Sequence, residues 1–85
     1  MASNIYMRTV DVTTSYAALE SARTVASVTI SCPPGNAGNV TFKGDDGSDV
    51  PWIPGEYHSF RDIDLSQIEI KGTSGDTVTI VGEAG

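Results

Sequence analysis

The sequence predicts an all-β fold, a small antiparallel β-sandwich or barrel of jelly-roll-like form with about six to eight short strands. Three features carry that prediction. Segments rich in Val, Ile and Thr alternate apolar and polar residues with the two-residue period of a half-buried strand. Clusters of Gly, Pro, Asp, Asn and Ser separate them, about every eight to twelve residues. The one stretch with helical propensity, Ser15 to Ala22, is shorter than the roughly 12 residues at which an isolated helix becomes plausible.

In chain order, Ile5 to Thr14 opens the fold as a strand with Val10 and Val12 inward, and Tyr16 and Leu19 follow where they can cover one edge of the core. Thr24 to Cys32 is the clearest strand, with Ala26, Val28, Ile30 and Cys32 in phase. The tandem Pro33-Pro34 removes two backbone donors and ends it. Asn39 to Gly44 places Val40 and Phe42 inward, and Gly44 to Asp49 is a turn. Asp62 to Gln67 reads as a linker anchored by Leu65, with room for one helical turn, and Ile68 to Lys71 as a further strand. Gly72 to Asp76 reads as a hairpin loop, and Thr77 to Gly82 as a last strand with Val78 and Ile80 inward.

The largest side chains gather between Val50 and Phe60, around Pro54-Gly55. Proline pre-sets φ at the second position of a β-turn, and glycine accepts the positive φ that a type II turn needs at the third. The prediction is a core-forming hairpin in which Trp52, Ile53, Tyr57 and Phe60 are the candidate core or interface residues, with Trp52, Ile53 and Phe60 buried within one subunit or between subunits.

The 85 residues form one domain over 1–85, small enough that roughly 60 to 65% of the chain surface can be buried. So thin a core gains from disulfides, a metal or subunit contacts. A single cysteine excludes an internal disulfide, and association between chains is the expected supplement. Cys32 reads as a small buried hydrophobe. Eleven acidic against five scattered basic residues give a formal charge of -6, which disfavours direct nucleic-acid binding. No apolar run approaches a membrane span, and Met1-Ala2-Ser3-Asn4 lacks the order of a signal peptide, so no membrane partner and synthesis in a cytoplasm are expected.

Groups for catalysis are few. The single histidine, His58, adjoins Ser59 on a strand, where neighbours point to opposite faces and cannot act as base and nucleophile together. Asp45, Asp46 and Asp49 share a glycine-containing loop, but without the length or terminal glutamate of an EF-hand they read as turn residues. One Cys and one His do not supply a zinc site. No enzyme activity, metal or cofactor is expected. Trp52, Tyr57 and Phe60 could form an aromatic platform for a sugar or peptide, set against a core or interface role.

The order of motifs resembles the small β-barrel virion proteins of tailed bacteriophages. The likeness runs from Thr9 to Gly82 through Val28-Thr29-Ile30-Ser31, the break at Asn36, Val40-Thr41-Phe42-Lys43-Gly44-Asp45-Asp46-Gly47, Pro54-Gly55-Glu56, Ile63-Asp64-Leu65-Ser66-Gln67-Ile68 and Gly75-Asp76-Thr77-Val78-Thr79-Ile80, and departs at Pro33-Pro34 and Trp52. It implies a non-enzymatic capsid decoration or cement protein on the virion surface, made in the host cytoplasm. Its partner would be the major capsid protein, and it would act as a homo-oligomer such as a trimer. The alternatives are a carbohydrate- or receptor-binding module using Trp52 and Tyr57, or a head- or tail-fibre component.

Overall fold

A computed structural model describes residues 4–84 of the domain expected over 1–85. Its strands are β1 (Asn4–Asp11), β2 (Ala17–Ala18), β3 (Val25–Ser31), β4 (Val40–Lys43), β5 (Val50–Trp52), β6 (Tyr57–Asp64), β7 (Glu69–Lys71) and β8 (Thr77–Ala84), with one 3-10 turn at Leu65–Gln67. They form two four-stranded antiparallel sheets in the orders β1-β8-β3-β6 and β2-β7-β4-β5. The fold is a sandwich, and among the described residues no strand closes the sheets into a barrel.

The pairings are nested. β1 pairs with β8, β2 with β7, β3 with β6 and β4 with β5, as in one long hairpin whose tip is the Gly44–Asp49 loop. Pairing of β3 with β8 and of β4 with β7 joins the wrapped ribbon into sheets. This is the double-sheet jelly-roll arrangement. Every connection except β4 to β5 crosses from one sheet to the other.

Alternation decides which side chains meet between the sheets. Ala26, Val28 and Ile30 from β3, Val40 and Phe42 from β4, Ile70 from β7 and Val78 and Ile80 from β8 are all buried, with Cys32 and Leu65 beside them. Apolar area of this kind contributes about 25 cal/mol per Å² removed from water. β1 ends at Asp11, three residues before the predicted end, yet Val12 stays buried because its N–H continues the ladder to the Asp76 carbonyl at 2.9 Å. Leu19 is buried and Tyr16 half-buried.

Pro54-Gly55 forms the expected turn, but not a hairpin. Gly55 has φ +88, and the Glu56 N–H donates to the Ile53 carbonyl at 3.0 Å, as a type II turn requires. The strands on either side belong to different sheets, because β5 pairs with β4 while β6 pairs with β3. The turn is therefore a sheet-crossing corner, held by Gly55 N–H to Cys32 O at 2.7 Å and Cys32 N–H to Glu56 O at 2.8 Å. The same correction applies to Gly72–Asp76, which carries the chain from β7 to β8 across the sandwich. Asp62 to Asp64 belong to β6 rather than to a linker, and Asp62, with φ 52, marks the bulge where the β3–β6 register shifts.

Opposite that bulge, a Cβ on Gly82 would lie 2.1 Å from the Ser27 carbonyl oxygen and 2.7 Å from the Val28 Cα. Both atoms are backbone of the adjacent strand, so β3 and β8 would have to separate. Gly82→Ala is expected to lower stability by about 1 to 3 kcal/mol or more, whereas Gly35→Ala, with nothing within 4 Å of the new Cβ, should leave the melt nearly unchanged. Chemical denaturation of the two variants checks this, and equal midpoints would contradict it.

Candidate interaction surface

The four candidate residues fall in three places. Trp52 is 5% exposed and stacks on Phe42 with ring centroids 3.7 Å apart, and His58 meets it edge-on at 4.7 Å. Phe60, half-buried, lies with Trp52 and Ile68 along a cleft of about 270 Å³ where the sheets part beside the Gly44–Ser48 loop. Ile53, first residue of the corner turn, is 60% exposed. Tyr57, 66% exposed, stands on the outer face of the first sheet, opposite Ser31. Alternation along β6 separates Tyr57 from Phe60, so the aromatic residues share no common platform.

The outer faces of the two sheets differ in chemistry. On the first, the register aligns Met7, Val81, Thr29 and Ser59 in one row and Thr9, Thr79, Ser31 and Tyr57 in the next. Ile5, Met7, Val25, Tyr57 and Val81, most of the large apolar side chains left exposed, stand on this face. Hydroxyls fill the remainder, with Thr29 Oγ1 and Ser59 Oγ 2.8 Å apart. A shallow depression of about 400 Å³ runs over Ser27, Thr29, Ser59, Arg61 and Val81. Charge is confined to the ends, with Glu83, Arg61 and Asp62 at one and Asp11 at the other.

The second sheet turns Lys43, Glu69 and Lys71 outward. Both lysine ammoniums sit over the Tyr16 ring, at 4.0 and 4.6 Å from its centroid. The Tyr16 hydroxyl donates to Asp49, which pushes the phenol pKa up to about 12. That face is charged and internally paired, which favours contact with water.

Acidic residues outside these faces hold the loops. Asp46 accepts from Ser48 N–H at 2.9 Å, the local turn expected of the aspartate loop. Asp76, 7% exposed, accepts from the N–H groups of Ala37 and Gly38 at 2.8 and 3.1 Å, while the Asn36 amide bonds both backbone groups of Thr77. This latch between the β3–β4 connection and β8 has no sequence signature, because a lone Asp and Asn 40 positions apart carry no sign of contact. Glu56 accepts from Ile53 N–H at 3.0 Å and lies 2.7 Å from the His58 imidazole, and that imidazole, with the Ile53 N–H, holds its carboxyl below the usual range. Ser59 points away to Thr29, so His58 and Ser59 do not meet. Burial pushes the Cys32 thiol up to about 11, as suits a packing residue. Among the described residues no three His, Cys, Asp or Glu side chains gather where they could share a cation.

Set beside protein-family models, curated proteins and solved structures, the chain matches none.

Asp64 ties the 3-10 turn to the start of β3. Its carboxylate accepts from Ser66 Oγ and N–H at 2.8 and 3.0 Å and from Thr24 N–H at 3.1 Å, and these bonds, the Ser66 hydroxyl first, hold its pKa below the ordinary 3.8. A depressed carboxyl stabilises the fold fully above its unfolded value and loses that contribution as pH falls through the folded one. Asp64→Asn should therefore be less stable than the wild type near neutrality, with the gap closing between about pH 5 and pH 2. Thermal melts across that range check this, and a gap that persists at the acid end would contradict it.

Proposed function

We propose that the protein is a non-enzymatic structural component of a tailed-bacteriophage virion, a capsid cement protein that lays the outer face of its first sheet across major capsid subunits. The observation that carries this reading is the contrast between the two sheet faces. One is hydroxyl-rich and studded with exposed Met7, Val81 and Tyr57, and the other is charged and self-paired. A protein interface takes the first kind of surface, with charged groups left towards the rim. The sequence resemblance supplies the virion setting. The jelly roll is compatible with it, though that architecture serves both capsid and lectin domains, so this part of the support is analogy of fold.

Cement action needs no chemistry. A protein that binds the assembled shell and has little affinity for free subunits shifts the equilibrium towards the shell by mass action. Many copies on one particle multiply a modest affinity per contact where geometry lets neighbours engage together. The carbohydrate module has weaker support, because Trp52 is packed inside and Tyr57 stands on another surface.

Particles assembled without the protein should release their contents at a lower temperature than complete ones, and adding the purified chain should restore them. Val81→Glu, a change at an exposed position, should keep the fold by circular dichroism and fail to restore. Depleted particles as robust as complete ones would overturn the cement role. Full restoration by Val81→Glu would overturn the assignment of the face.

A further inference from the structure

Natural sheets protect their edges against pairing with another chain by shortness, proline, bulges or edge charges. Three of the four edges here are protected in that way. β2 has two residues, β5 has three including Pro51, and β6 is broken at the Asp62 bulge with Arg61 beside it. The fourth, β1, has eight residues with no proline, glycine or bulge; its charges are Arg8 at the centre and Asp11 at the end, and Ile5 and Met7 on it are 79% and 61% exposed. Among the described residues no strand lies along its outer side.

In an antiparallel ladder successive residues direct their N–H and C=O groups to opposite sides. Val12 N–H bonds to Asp76, so the even-numbered residues of β1 face β8. The odd-numbered ones, Ile5, Met7 and Thr9, face outward, and the Met7 carbonyl accordingly accepts the Arg8 guanidinium of its own chain at 2.9 Å. These are the backbone groups that another strand would satisfy.

We infer that β1 pairs antiparallel with β1 of a second copy, about a two-fold axis at Met7, so that two first sheets become one continuous sheet. A two-fold axis normal to the sheet keeps outer face with outer face and makes the contact self-complementary. Placing Met7 opposite its own symmetry mate sets Ile5 opposite Thr9, and two bonds per opposed pair give about six backbone hydrogen bonds. The same register sets Tyr6 opposite Arg8, which already lies 4.3 Å from its own Tyr6 ring centroid. Shifting the axis one residue to Arg8 would oppose two like charges directly, which is destabilising. The outer faces would merge with Ile5 and Met7 of both copies around the axis, where only uncharged side chains meet.

The pair is independent of the capsid reading, since it is measured on the purified chain. It also specifies a two-fold assembly where the sequence resemblance implies forms such as a trimer. Sedimentation equilibrium of the full chain should show the mass rising with concentration from 8.9 kDa to twice that value. Met7→Pro removes an outward N–H without touching the β8 ladder, and Met7→Lys puts two charges on the axis. Both should stay monomeric where the wild type pairs, with unchanged circular dichroism. Should a variant unfold, amide exchange of the wild type gives a separate reading. The Ile5, Met7 and Thr9 amides should become protected as concentration rises, while those of Tyr6 and Arg8 are protected throughout. A chain that stays monomeric, an oligomer that survives Met7→Lys, or outward amides insensitive to concentration would overturn the inference. Outward amides protected only on the particle would overturn it in favour of a strand contributed by a capsid subunit.

Discussion

The structure depends on nested strand pairing across a wrapped ribbon. Each strand finds its partner at the mirrored position along the chain, and only the tip loop between β4 and β5 joins neighbours within one sheet. Wrapping turns one apolar side of the ribbon inward from both sheets at once, which is how so short a chain excludes water from Ile30, Val40, Leu65, Val78 and Ile80. The central β3–β8 contact permits this only because position 82 carries no side chain. Most contacts are therefore remote in sequence, and the loop-closure cost of bringing them together predicts slow folding for the size of the chain.

Three of the eleven acidic residues serve the crossings. Asp64, Asp76 and Glu56 each accept backbone N–H groups from a connection between sheets, and Asp46 does the same in the tip loop. Such charge-assisted bonds are stronger than neutral ones and suit a loop that lacks ladder partners. Negative charge is thereby concentrated at the ends and corners. The first sheet is left with an outer face of hydroxyl and apolar side chains, and the second with a patchwork of paired lysine, tyrosine and carboxylate groups. The difference between the faces thus follows from where the fold requires its acids.

Local patterns in the sequence carry the strands and their inward residues, because period-two alternation is read one segment at a time. Ala26, Val28, Ile30 and Cys32, Val40 with Phe42, Leu65, and Val78 with Ile80 are buried as their spacing predicts. Pairing partners are another matter. Pro54-Gly55 announces a type II turn in the same way whether the flanking strands pair with each other or part into two sheets, so the sequence alone suggests a hairpin where the fold makes a corner. The aromatic cluster divides for a related reason. Trp52 and Phe60 point between the sheets, while the alternation that turns Phe60 inward turns Tyr57 outward, and Ile53 is spent on the turn. The outer face of the first sheet is not legible in the sequence, because Ile5, Met7, Tyr57 and Val81 come from three strands that only the β1-β8-β3-β6 order aligns.

Hydroxyl-radical footprinting of the native particle tests most directly whether that face is the contact surface. Tyr57 and Val81, both exposed in the free chain, should lose most of their labelling when the protein is on the shell. Tyr16 and Lys43 on the opposite sheet should be labelled as in the free chain. Protection of Tyr16 and Lys43 with Tyr57 and Val81 left accessible would place the contact on the charged sheet and contradict the account.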